Sequence, residues 1–498
     1  MTGAPDAIVI GGGHNGLVAA ALLARRGMRP LVLEARNHAG GMLGDAEFPI
    51  SPMPFALRPE ICRALAIDVA TRPMETIVAS PLNSLSGTLR VSGSRLDGGS
   101  PQQAEAFRQL VERLARQAEA LSGMLLRAPP RLDGAGPRDL LALAGTGWKL
   151  RRLGKVDLRD LLRIALSNVH DLVEDELGLG LPGALLAMEA TLGGAMGPRS
   201  PGTVLTLLYR MASNGGRRMM PVGGPGALTQ ALAAAVTRAG GEIRLNAPVE
   251  RILVEGDRAA GVALSNGEIV RASLVLSSAA PRTTLLDLLG PGHLDAEWVR
   301  RCRNMACTGM VARLDFDLLA PPRLAGGEVL EADQRLVVAA DAGTVETAFN
   351  AAKHGKLPDD PVMEACYDAG SRRLRVSVQF IPHSPRGGWT EANRQMLETS
   401  VRRQLGFVLA GFEDSVTASR MMAPADIETA YGIPGGHWHH GELRIDQMLM
   451  LRPFDGAAGY RMPVEGLYLC GAGSHPGGDI SGAPGFNAAN AALAARRH

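Results

Sequence analysis

The sequence has few aromatic residues, few lysines, few cysteines and no large surplus of charge of either sign. Aromatic residues make up 4% of the 498 residues, and four of the 52 basic residues are lysines, so mechanisms that need an aromatic cage or a buried lysine have few residues to draw on. Five cysteines are too few for a disulfide framework. The net charge of +2 argues against nucleic acid as the main partner, because phosphate backbones are bound by concentrated positive charge.

The sequence has no long apolar run and shows no visible secretory signal. No uncharged apolar stretch reaches the length of about 18 residues that a transmembrane helix needs. The segment before the first strand-like run has no basic residue, so a signal peptide is not expected. These features predict a cytoplasmic protein. A chain of 498 residues is too long for one core, so two or three domains are expected.

A glycine-rich turn near the N-terminus carries the strongest signal. The apolar run 7–10 leads into Gly11, Gly13 and Gly16 in Gly-x-Gly-x-x-Gly spacing, then a helix-like stretch and a second apolar run that ends in Glu34. In such a unit the glycines permit a tight turn, close approach of a pyrophosphate and close helix packing. The acid can accept hydrogen bonds from ribose hydroxyls. The pattern predicts a dinucleotide site, and the alternative is a glycine-rich turn without a ligand.

A second glycine-rich segment lies near the C-terminus. The strand-like run 466–469 breaks into a turn at Gly471 and Gly473, and an alanine-rich helix is predicted over 486–497. Pro484 suits the first turn of this helix, where its missing N–H costs no intrahelical hydrogen bond. The free N–H groups and the dipole at a helix start favour an anion. The segment therefore predicts a second anion-favouring turn.

The two glycine-rich ends and the pair Gly40-Gly41 resemble the FAD-binding superfamily of phytoene desaturases, flavin amine oxidases and GDP-dissociation inhibitors. The stretch 435–453 resembles a narrower group, the β-carotene ketolase-type flavoproteins and pyridine nucleotide-disulphide oxidoreductase domain-containing protein 2. The sequence is thus identified as a member of the phytoene desaturase-like FAD-dependent oxidoreductase family, which implies FAD as the cofactor. The residues expected to bind FAD are Gly11, Gly13, His14, Asn15, Gly16, Glu34, Ala35, Arg36, Gly40, Gly41, Met42, Val249, Gly471, Gly473, Asp479, Ile480, Gly482 and Ala483.

The expected fold class is α/β, a Rossmann-type FAD-binding domain of the glutathione reductase-like kind with an inserted α+β substrate domain. Segments 1–70, 215–290 and 440–498 are expected to form the discontinuous FAD-binding domain. Segments 71–214 and 291–439 are expected to form the substrate-binding domain, which has a helical part. Sequence-distant pieces can share one core in this way.

Turn signals in the middle of the chain predict a helix followed by a β-meander. The helix is expected over 227–238, and Glu255-Gly256-Asp257 and Asn266-Gly267 are typical hairpin turns. The meander is expected to contain four strands at 243–245, 249–254, 261–264 and 268–270, before a buried return strand at 274–278. Elsewhere, an amphipathic helix is predicted over 104–121.

Three histidines are the candidates for catalysis. His437, His439 and His440 precede the C-terminal glycine-rich segment, and the resemblance implies that this stretch passes near the flavin ring. An imidazole can act as acid or base at neutral pH, and on a strand His437 and His439 would share a face. The alternative is that these histidines satisfy backbone groups at a domain junction. No metal is expected, because a third well-placed ligand is not evident.

Two further features have a functional and an ordinary interpretation. Cys302 and Cys307 have the C-x4-C spacing of a redox disulfide, but they lie far from the first glycine turn, so buried thiols are favoured. The basic, partly amphipathic segment 147–168 could contact a membrane surface peripherally, although such a segment is more often a solvated helix face.

The expected function is that of an FAD-dependent dehydrogenase or desaturase. A hydride would pass from an apolar substrate, such as a polyene or lipid-like molecule, to flavin N5, and O2 or a quinone would reoxidise the flavin. The alternatives are a redox-neutral flavin-dependent isomerase, a flavin amine oxidase, and a non-catalytic lipid- or protein-binding module of the GDP-dissociation-inhibitor fold. The lysines lie outside the flavin motifs, which disfavours an amine oxidase, and two intact flavin motifs disfavour a binding module.

Overall fold

A computed structural model describes residues 4–44, 48, 57–82, 87–130, 136–214 and 218–496. Twenty strands and fifteen α-helices lie within these ranges. The strands are β1 (Ala7–Ile10), β2 (Pro30–Leu33), β3 (Thr71–Pro73), β4 (Glu75–Ala79), β5 (Thr88–Ser92), β6 (Arg95–Asp97), β7 (Met219–Pro221), β8 (Glu242–Arg244), β9 (Val249–Glu255), β10 (Arg258–Leu264), β11 (Ile269–Arg271), β12 (Val275–Ser277), β13 (Val311–Leu318), β14 (Arg323–Leu324), β15 (Gln334–Val338), β16 (Met363–Asp368), β17 (Arg373–Gln379), β18 (Leu409–Ala410), β19 (Val416–Met422) and β20 (Leu467–Leu469). The helices are α1 (His14–Arg25), α2 (Pro59–Leu65), α3 (Pro101–Leu125), α4 (Pro137–Arg152), α5 (Gly154–Ile164), α6 (Val169–Leu177), α7 (Leu181–Thr191), α8 (Thr203–Asn214), α9 (Pro225–Arg238), α10 (Ala296–Arg303), α11 (Ala342–Lys353), α12 (Glu391–Val408), α13 (Phe412–Ser415), α14 (Pro424–Tyr431) and α15 (Ala483–Ala495).

A five-stranded parallel sheet joins three distant parts of the chain in the order β20-β12-β1-β2-β8. Its strands read as continuous apolar runs because both faces of the sheet are covered. Val9 and Val32 pack with α1, α9 and α15 on one face, whereas Ile8 and Leu31 pack toward the β9–β11 layer on the other. The sheet therefore brings the two ends of the chain together.

The expected four-strand meander is wrong at its first strand. Only β9, β10 and β11 form the antiparallel three-stranded sheet, whereas β8 pairs in parallel with β2 in the five-stranded sheet. The hairpin turns at 255–257 and 266–267 join only β9, β10 and β11. After β8, Asn246 adopts a left-handed conformation (φ 52°) and donates its N–H to the carbonyl of Arg36, which turns the chain out of the parallel sheet.

An eight-stranded sheet forms the second layer system, in the order β19-β13-β17-β16-β15-β4-β5-β6. All its neighbouring strands are antiparallel except β15 and β4. Val78 and Val337 face the helices α3, α6, α7, α8 and α11, and Ile77 and Leu336 face α12. Alternate residues of each strand thus pack into two separate hydrophobic cores, one on each face of the sheet.

The long helix of this layer is longer than the sequence pattern indicated. α3 begins at Pro101, with Ser100 accepting a hydrogen bond from the N–H of Gln103 as the N-cap, and extends to Leu125. The expected apolar face is buried at Phe107, Leu110 and Leu114. Among the described helices, none combines the length and the apolarity that crossing a bilayer requires.

Candidate functional site

A cavity of 440 Å³ opens at the carboxyl ends of the parallel strands. Its wall includes Ile10 at the end of β1, Leu33 at the end of β2, Ser278 after β12 and Ala472 after β20. In open parallel sheets, ligands bind beyond the carboxyl ends of the strands. The cavity also reaches α8 and the loop after α14, so it lies where the two sheet systems meet.

Most of the residues expected to bind the cofactor line this cavity. Fifteen of the cofactor-binding and catalytic residues predicted from the sequence contribute to its wall, namely Gly11, Gly13, His14, Asn15, Glu34, Ala35, Arg36, Gly40, Gly41, Met42, Val249, His439, His440, Asp479 and Ile480. Six do not, namely Gly16, His437, Gly471, Gly473, Gly482 and Ala483. The structure thus brings residues from both glycine-rich ends to one cavity.

The glycines near the cavity have two different roles. A methyl group at Gly13 would meet no atom within 4 Å, so this position borders open space. A methyl group at Gly16 would lie 2.1 Å from the carbonyl oxygen of Gly11, and one at Gly471 would lie 2.3 Å from that of Ser278. Gly16 and Gly471 therefore allow close packing of the backbone, whereas Gly13 leaves room for a ligand.

The N-termini of α1 and α15 approach each other beside this space. A methyl group at Gly485 would lie 2.0 Å from the carbonyl oxygen of Asn15. Gly13 caps α1 and Gly482 caps α15, and neither glycine has a side chain that could satisfy the first N–H groups. Nε2 of His14 and Oδ1 of Asn15 are buried without a hydrogen-bond partner in the described part of the chain. The uncapped N–H groups fit an anionic group of a bound cofactor, and the unpartnered Oδ1 of Asn15 fits a donor such as a cofactor hydroxyl.

The carboxylate of Glu34 is held by two backbone hydrogen bonds. Oε2 accepts from the N–H of Gly12 at 2.6 Å, and Oε1 accepts from the N–H of Arg36 at 3.0 Å. These bonds fix the carboxylate at the cavity wall, beside the glycine turn. A carboxylate has more acceptor sites than these two bonds use, so it can also accept from ribose hydroxyls.

The three candidate histidines lie in a turn segment and not on a strand, so the strand geometry in which His437 and His439 would share a face does not occur. Nδ1 of His437 accepts a hydrogen bond from the N–H of His439 at 3.2 Å, and its Nε2 lies 3.3 Å from Oε1 of Glu442. His437 is fully buried behind the cavity wall. Glu442 in turn accepts a hydrogen bond from the N–H of Ala195, which ties this turn to the loop after α7.

His439 and His440 do border the cavity, and both are neutral bases. Burial lowers the pKa of His440 to about 3, with a smaller contribution from His14. Burial also holds the pKa of His439 well below its usual value. Nε2 of His439 lies 3.7 Å from Oδ1 of Asp479. His440 adopts a left-handed conformation (φ 57°), and its Nδ1 is buried without a hydrogen-bond partner among the described residues.

Two arginines that pair with acids at the cavity were not predicted from the sequence. Nη2 of Arg210 pairs with Oδ1 of Asp479 at 3.1 Å, and Arg218 pairs with Glu189. Burial lowers the pKa of the Arg218 guanidinium to about 10. Arg210 lies on α8 and Arg218 before β7, far in sequence from either glycine-rich end. Their role depends on long-range packing, and no local motif marks it.

A third arginine, Arg452, is fully buried and holds the histidine turn in place. Nη1 of Arg452 donates to the carbonyl oxygen of Glu442 at 2.8 Å, and Nη2 donates to those of His439 and Ala472, both at 2.8 Å. Ala472 belongs to the C-terminal glycine turn. Arg452 therefore fixes the histidine turn against that glycine turn through backbone carbonyls.

One cluster with metal-ligand chemistry lies away from the cavity. Nδ1 of His170 faces the carboxylates of Asp171 and Glu174 at 3.8 and 3.7 Å. Nη2 of Arg199 lies 3.3 Å from Nε2 of His170. Because arginine can only donate, Nε2 accepts and the ring proton resides on Nδ1. A protonated Nδ1 has no lone pair for a metal, so this cluster is an ordinary polar contact.

Cys302 and Cys307 are both buried and free. Nη1 of Arg282 donates to the sulfur of Cys307 at 3.4 Å, and burial raises the pKa of the Cys302 thiol to about 12. A thiol with a raised pKa is a poor nucleophile. The favoured interpretation of buried thiols is therefore confirmed.

Comparisons with known proteins agree with this geometry. A family model described as "NAD(P)-binding Rossmann-like domain" matches residues 9–64, and one described as "Flavin containing amine oxidoreductase" matches residues 142–311. Pyridine nucleotide-disulfide oxidoreductase domain-containing protein 2 of Rattus norvegicus is 30% identical over 97% of this chain and 92% of its own length. The phytoene desaturase (lycopene-forming) of Pseudescherichia vulneris is 24% identical over 98% of both chains.

A solved structure shows the same fold. An oxidoreductase from Methanosarcina mazei superimposes with a TM-score of 0.57 at 16% sequence identity, over 99% of this chain and 100% of that chain. The fold and the cavity thus define an enzyme with an α/β FAD-binding fold, an FAD-dependent oxidoreductase. The chain belongs to the phytoene desaturase-like family of these enzymes, as expected from its two flavin motifs.

Proposed function

We propose that this enzyme dehydrogenates an apolar, polyene- or lipid-like substrate, with O2 or a quinone as the final electron acceptor. The single observation that supports this most is the shape of the interior. The 440 Å³ cavity beside the glycine turns adjoins a second, mostly apolar cavity of 90 Å³, and Arg210, Arg218 and Asp479 border both. A cofactor and an apolar substrate could thus meet at one polar boundary.

The cofactor would lie along the glycine-rich side of the larger cavity. Gly11, Gly13 and the start of α1 would hold its pyrophosphate, and Glu34 its ribose. Bound FAD would supply the two-electron acceptor for the oxidation. The open space at Gly13 and the unpartnered atoms of His14 and Asn15 support this placement.

The domain division proposed from the sequence follows the two large sheets. Segments 1–70, 215–290 and 440–498 would form the glutathione reductase-like FAD-binding domain, and 71–214 with 291–439 the inserted substrate domain. All five strands of the parallel sheet lie in the first set, and all eight strands of the large mixed sheet lie in the second. Two contacts cross this division. β3 and β7 pair across the boundary, and Cys302 of α10 packs with the parallel sheet.

The smaller cavity is suited to the apolar part of a substrate. It lies among α3, α7, α8 and the strands β4 and β5, and its apolar lining residues are Met74, Val91, Phe107, Val111, Leu185, Leu186, Leu207 and Met211. The wall also contains the charged residues Glu189, Arg210, Arg218 and Asp479, so the apolar side chains form one part of it, and that part can bind hydrocarbon groups. The name of the related phytoene desaturase is consistent with a hydrocarbon substrate.

His439 and Asp479 would accept the proton that leaves the substrate. His439 is uncharged at neutral pH, because burial lowers its pKa, and its Nε2 faces the carboxylate of Asp479. An imidazole beside a carboxylate can take up a proton, because the carboxylate stabilises the cation that forms. His437 would act as a positioning residue, since its Nδ1 fixes the backbone of His439.

The proposal is tested by anaerobic mixing of the FAD-loaded enzyme with a panel of candidates. The panel contains an acyclic polyene, a hydroxylated lipid and an amine, each added in excess while flavin absorbance is followed. Bleaching by the polyene or the lipid, and recovery on addition of O2 or a soluble quinone, is the expected result. Bleaching by the amine alone would favour an amine oxidase. A product isomer formed without net bleaching would favour an isomerase, and a protein that cannot be loaded with FAD would contradict the proposal altogether.

A further inference from the structure

The large apolar side chains that remain exposed are concentrated in the helices α4 and α5. Val156 is 79% exposed, Leu162 is 73% exposed and Leu166, just after α5, is 62% exposed. Trp148 on α4 is 63% exposed, and Leu143 is exposed as well. Single exposed apolar side chains are common, but five within 24 residues form a patch, and patches mark contact sites.

The outer face of α5 combines apolar and cationic side chains. Helical spacing of i, i+1, i+4, i+7, i+8 and i+11 places six exposed residues on one side. Leu161 and Ile164 lie on the opposite side and are buried in the core under α3. We call the outer side the α5 surface, and it is made of Lys155, Val156, Arg159, Leu162, Arg163 and Leu166.

The acidic residues of α5 are turned toward α3 and leave this surface cationic. Oδ2 of Asp157 pairs with Arg116 at 2.9 Å, and Oδ2 of Asp160 pairs with Arg113 at 3.2 Å. Asp160 also contacts Arg163 at 3.0 Å, but Asp160 is 16% exposed whereas Arg163 is 59% exposed. The carboxylates therefore anchor α5 to the body of the enzyme, and the positive charge faces outward.

The preceding helix presents a similar combination. Arg151 and Arg152 follow Trp148 by three and four residues, so the three side chains share one exposed face of α4. Thr146 and Leu150, on the other side of that helix, are half-buried. Tryptophan flanked by arginines is typical of helices that lie in the interface of a bilayer.

We propose that α4 and α5 dock this enzyme onto a bilayer of anionic lipids. The apolar side chains of the α5 surface and Trp148 would enter the headgroup layer, while the lysine and arginine side chains contact lipid phosphates. An acidic protein partner would match the positive charge of the α5 surface. It would not explain why the apolar side chains Val156, Leu162 and Leu166 alternate with the cations there. The docking surface lies outside the FAD cavity, so it does not depend on the proposed oxidation.

Docking would place the smaller cavity close to lipid. α5 is anchored on α3 by Arg113 and Arg116, and α3 contributes Phe107 and Val111 to the wall of that cavity. The helix that carries the docking surface therefore packs on a helix that lines the apolar cavity.

Vesicle flotation with the FAD-loaded full chain tests this proposal. We expect the enzyme to float with mixed phosphatidylglycerol–phosphatidylcholine vesicles, to float poorly with pure phosphatidylcholine, and to be released by salt. Lys155→Gln with Arg159→Gln should weaken binding by roughly 25-fold, because each cation near an anionic surface contributes about fivefold. Val156→Gln with Leu162→Gln should also weaken it. The matched control is Arg303→Gln with Leu319→Gln, which removes one exposed cation and one exposed leucine elsewhere.

Tryptophan emission supplies a second readout. Emission should shift to the blue on addition of anionic vesicles, and Trp148→Phe should abolish the shift while FAD content and melting temperature stay unchanged. Wild-type enzyme that does not float with anionic vesicles would overturn the proposal, as would equal flotation of the α5 variants and the control. A change of particle mass caused by the α5 substitutions in the absence of lipid would also overturn it, because the surface would then serve self-association.

Discussion

Nε2 of His439 lies 3.7 Å from Oδ1 of Asp479, and the same carboxylate oxygen is 3.1 Å from Nη2 of Arg210. The three residues come from the histidine turn, the C-terminal glycine-rich segment and α8, and all three border the larger cavity. Arg210 holds the carboxylate in place by an ion pair, and a carboxylate beside an imidazole can stabilise the protonated imidazole. This contact therefore gives the cavity one group able to receive a proton from a substrate.

Asp479→Asn should slow substrate oxidation by enzyme that has been loaded with FAD. The amide keeps the shape of the carboxylate but cannot stabilise an imidazolium at His439, so the rate of anaerobic flavin bleaching should fall by about 10²–10⁴. Asp446→Asn, an exposed acid near the histidine turn, is the matched control and should bleach at the wild-type rate. A bleaching rate for Asp479→Asn within twofold of the control would show that this carboxylate takes no part in the proton transfer.

Two glycine variants should separate cofactor space from backbone packing. Gly13→Ala places a methyl group in open space, so the fold should be kept, while affinity for FAD should drop at least tenfold because the methyl group occupies the path of the pyrophosphate. Gly16→Ala places a methyl group 2.1 Å from a carbonyl oxygen, and such overpacking costs about 1–3 kcal/mol of stability or more. Melting temperature and extracted FAD are the measurements.

The outcome that would contradict this prediction is a normal FAD content in Gly13→Ala. The cofactor would then not approach the turn at that position. The prediction requires that Gly13→Ala has a low FAD content. It also requires that the apoprotein of this variant melts at the wild-type temperature. For Gly16→Ala the melting temperature itself must fall.

How much could be inferred from the sequence depended on whether the signal was local. The turn from Gly11 to Gly16 and the acid at Glu34 have fixed spacing within one strand–helix–strand unit, so their place at one cavity was predictable. The first strand of the expected meander was wrong because pairing of β8 with β2 is set by the parallel sheet, which the local apolar pattern does not encode. Arg210 and Arg218 escaped notice because only tertiary packing brings them to the cavity.

Arg452→Lys should loosen the histidine turn. The guanidinium of Arg452 donates at 2.8 Å to the carbonyl oxygens of Glu442, His439 and Ala472, which lie in different directions. A lysine ammonium is a point donor and cannot reproduce this fork. Loss of two charge-assisted hydrogen bonds should lower the unfolding free energy by at least about 3 kcal/mol.

The melting temperature and FAD retention after gel filtration measure the effect of Arg452→Lys. Arg444→Lys, at an exposed arginine that pairs with Asp446 at 2.9 Å, is the control and should change neither value noticeably. Equal melting temperatures for the two variants would mean that the buried fork does not hold the turn.

The buried imidazole of His14 should make the enzyme less stable in acid. Burial lowers the pKa of His14 from 6.5 to about 4, so the unfolded chain takes up the proton first as the pH falls. The stability that this residue contributes is complete above about pH 6.5 and is lost progressively between about pH 6.5 and pH 4. The loss by pH 4 is on the order of 3 kcal/mol, from about 1.4 kcal/mol for each pH unit. Urea unfolding at about pH 7 and pH 4.5 should show that His14→Asn flattens this slope, whereas His354→Asn, at an exposed position, leaves it unchanged. Parallel slopes for wild type and His14→Asn would mean that His14 accepts a proton in the folded enzyme as readily as in the unfolded chain.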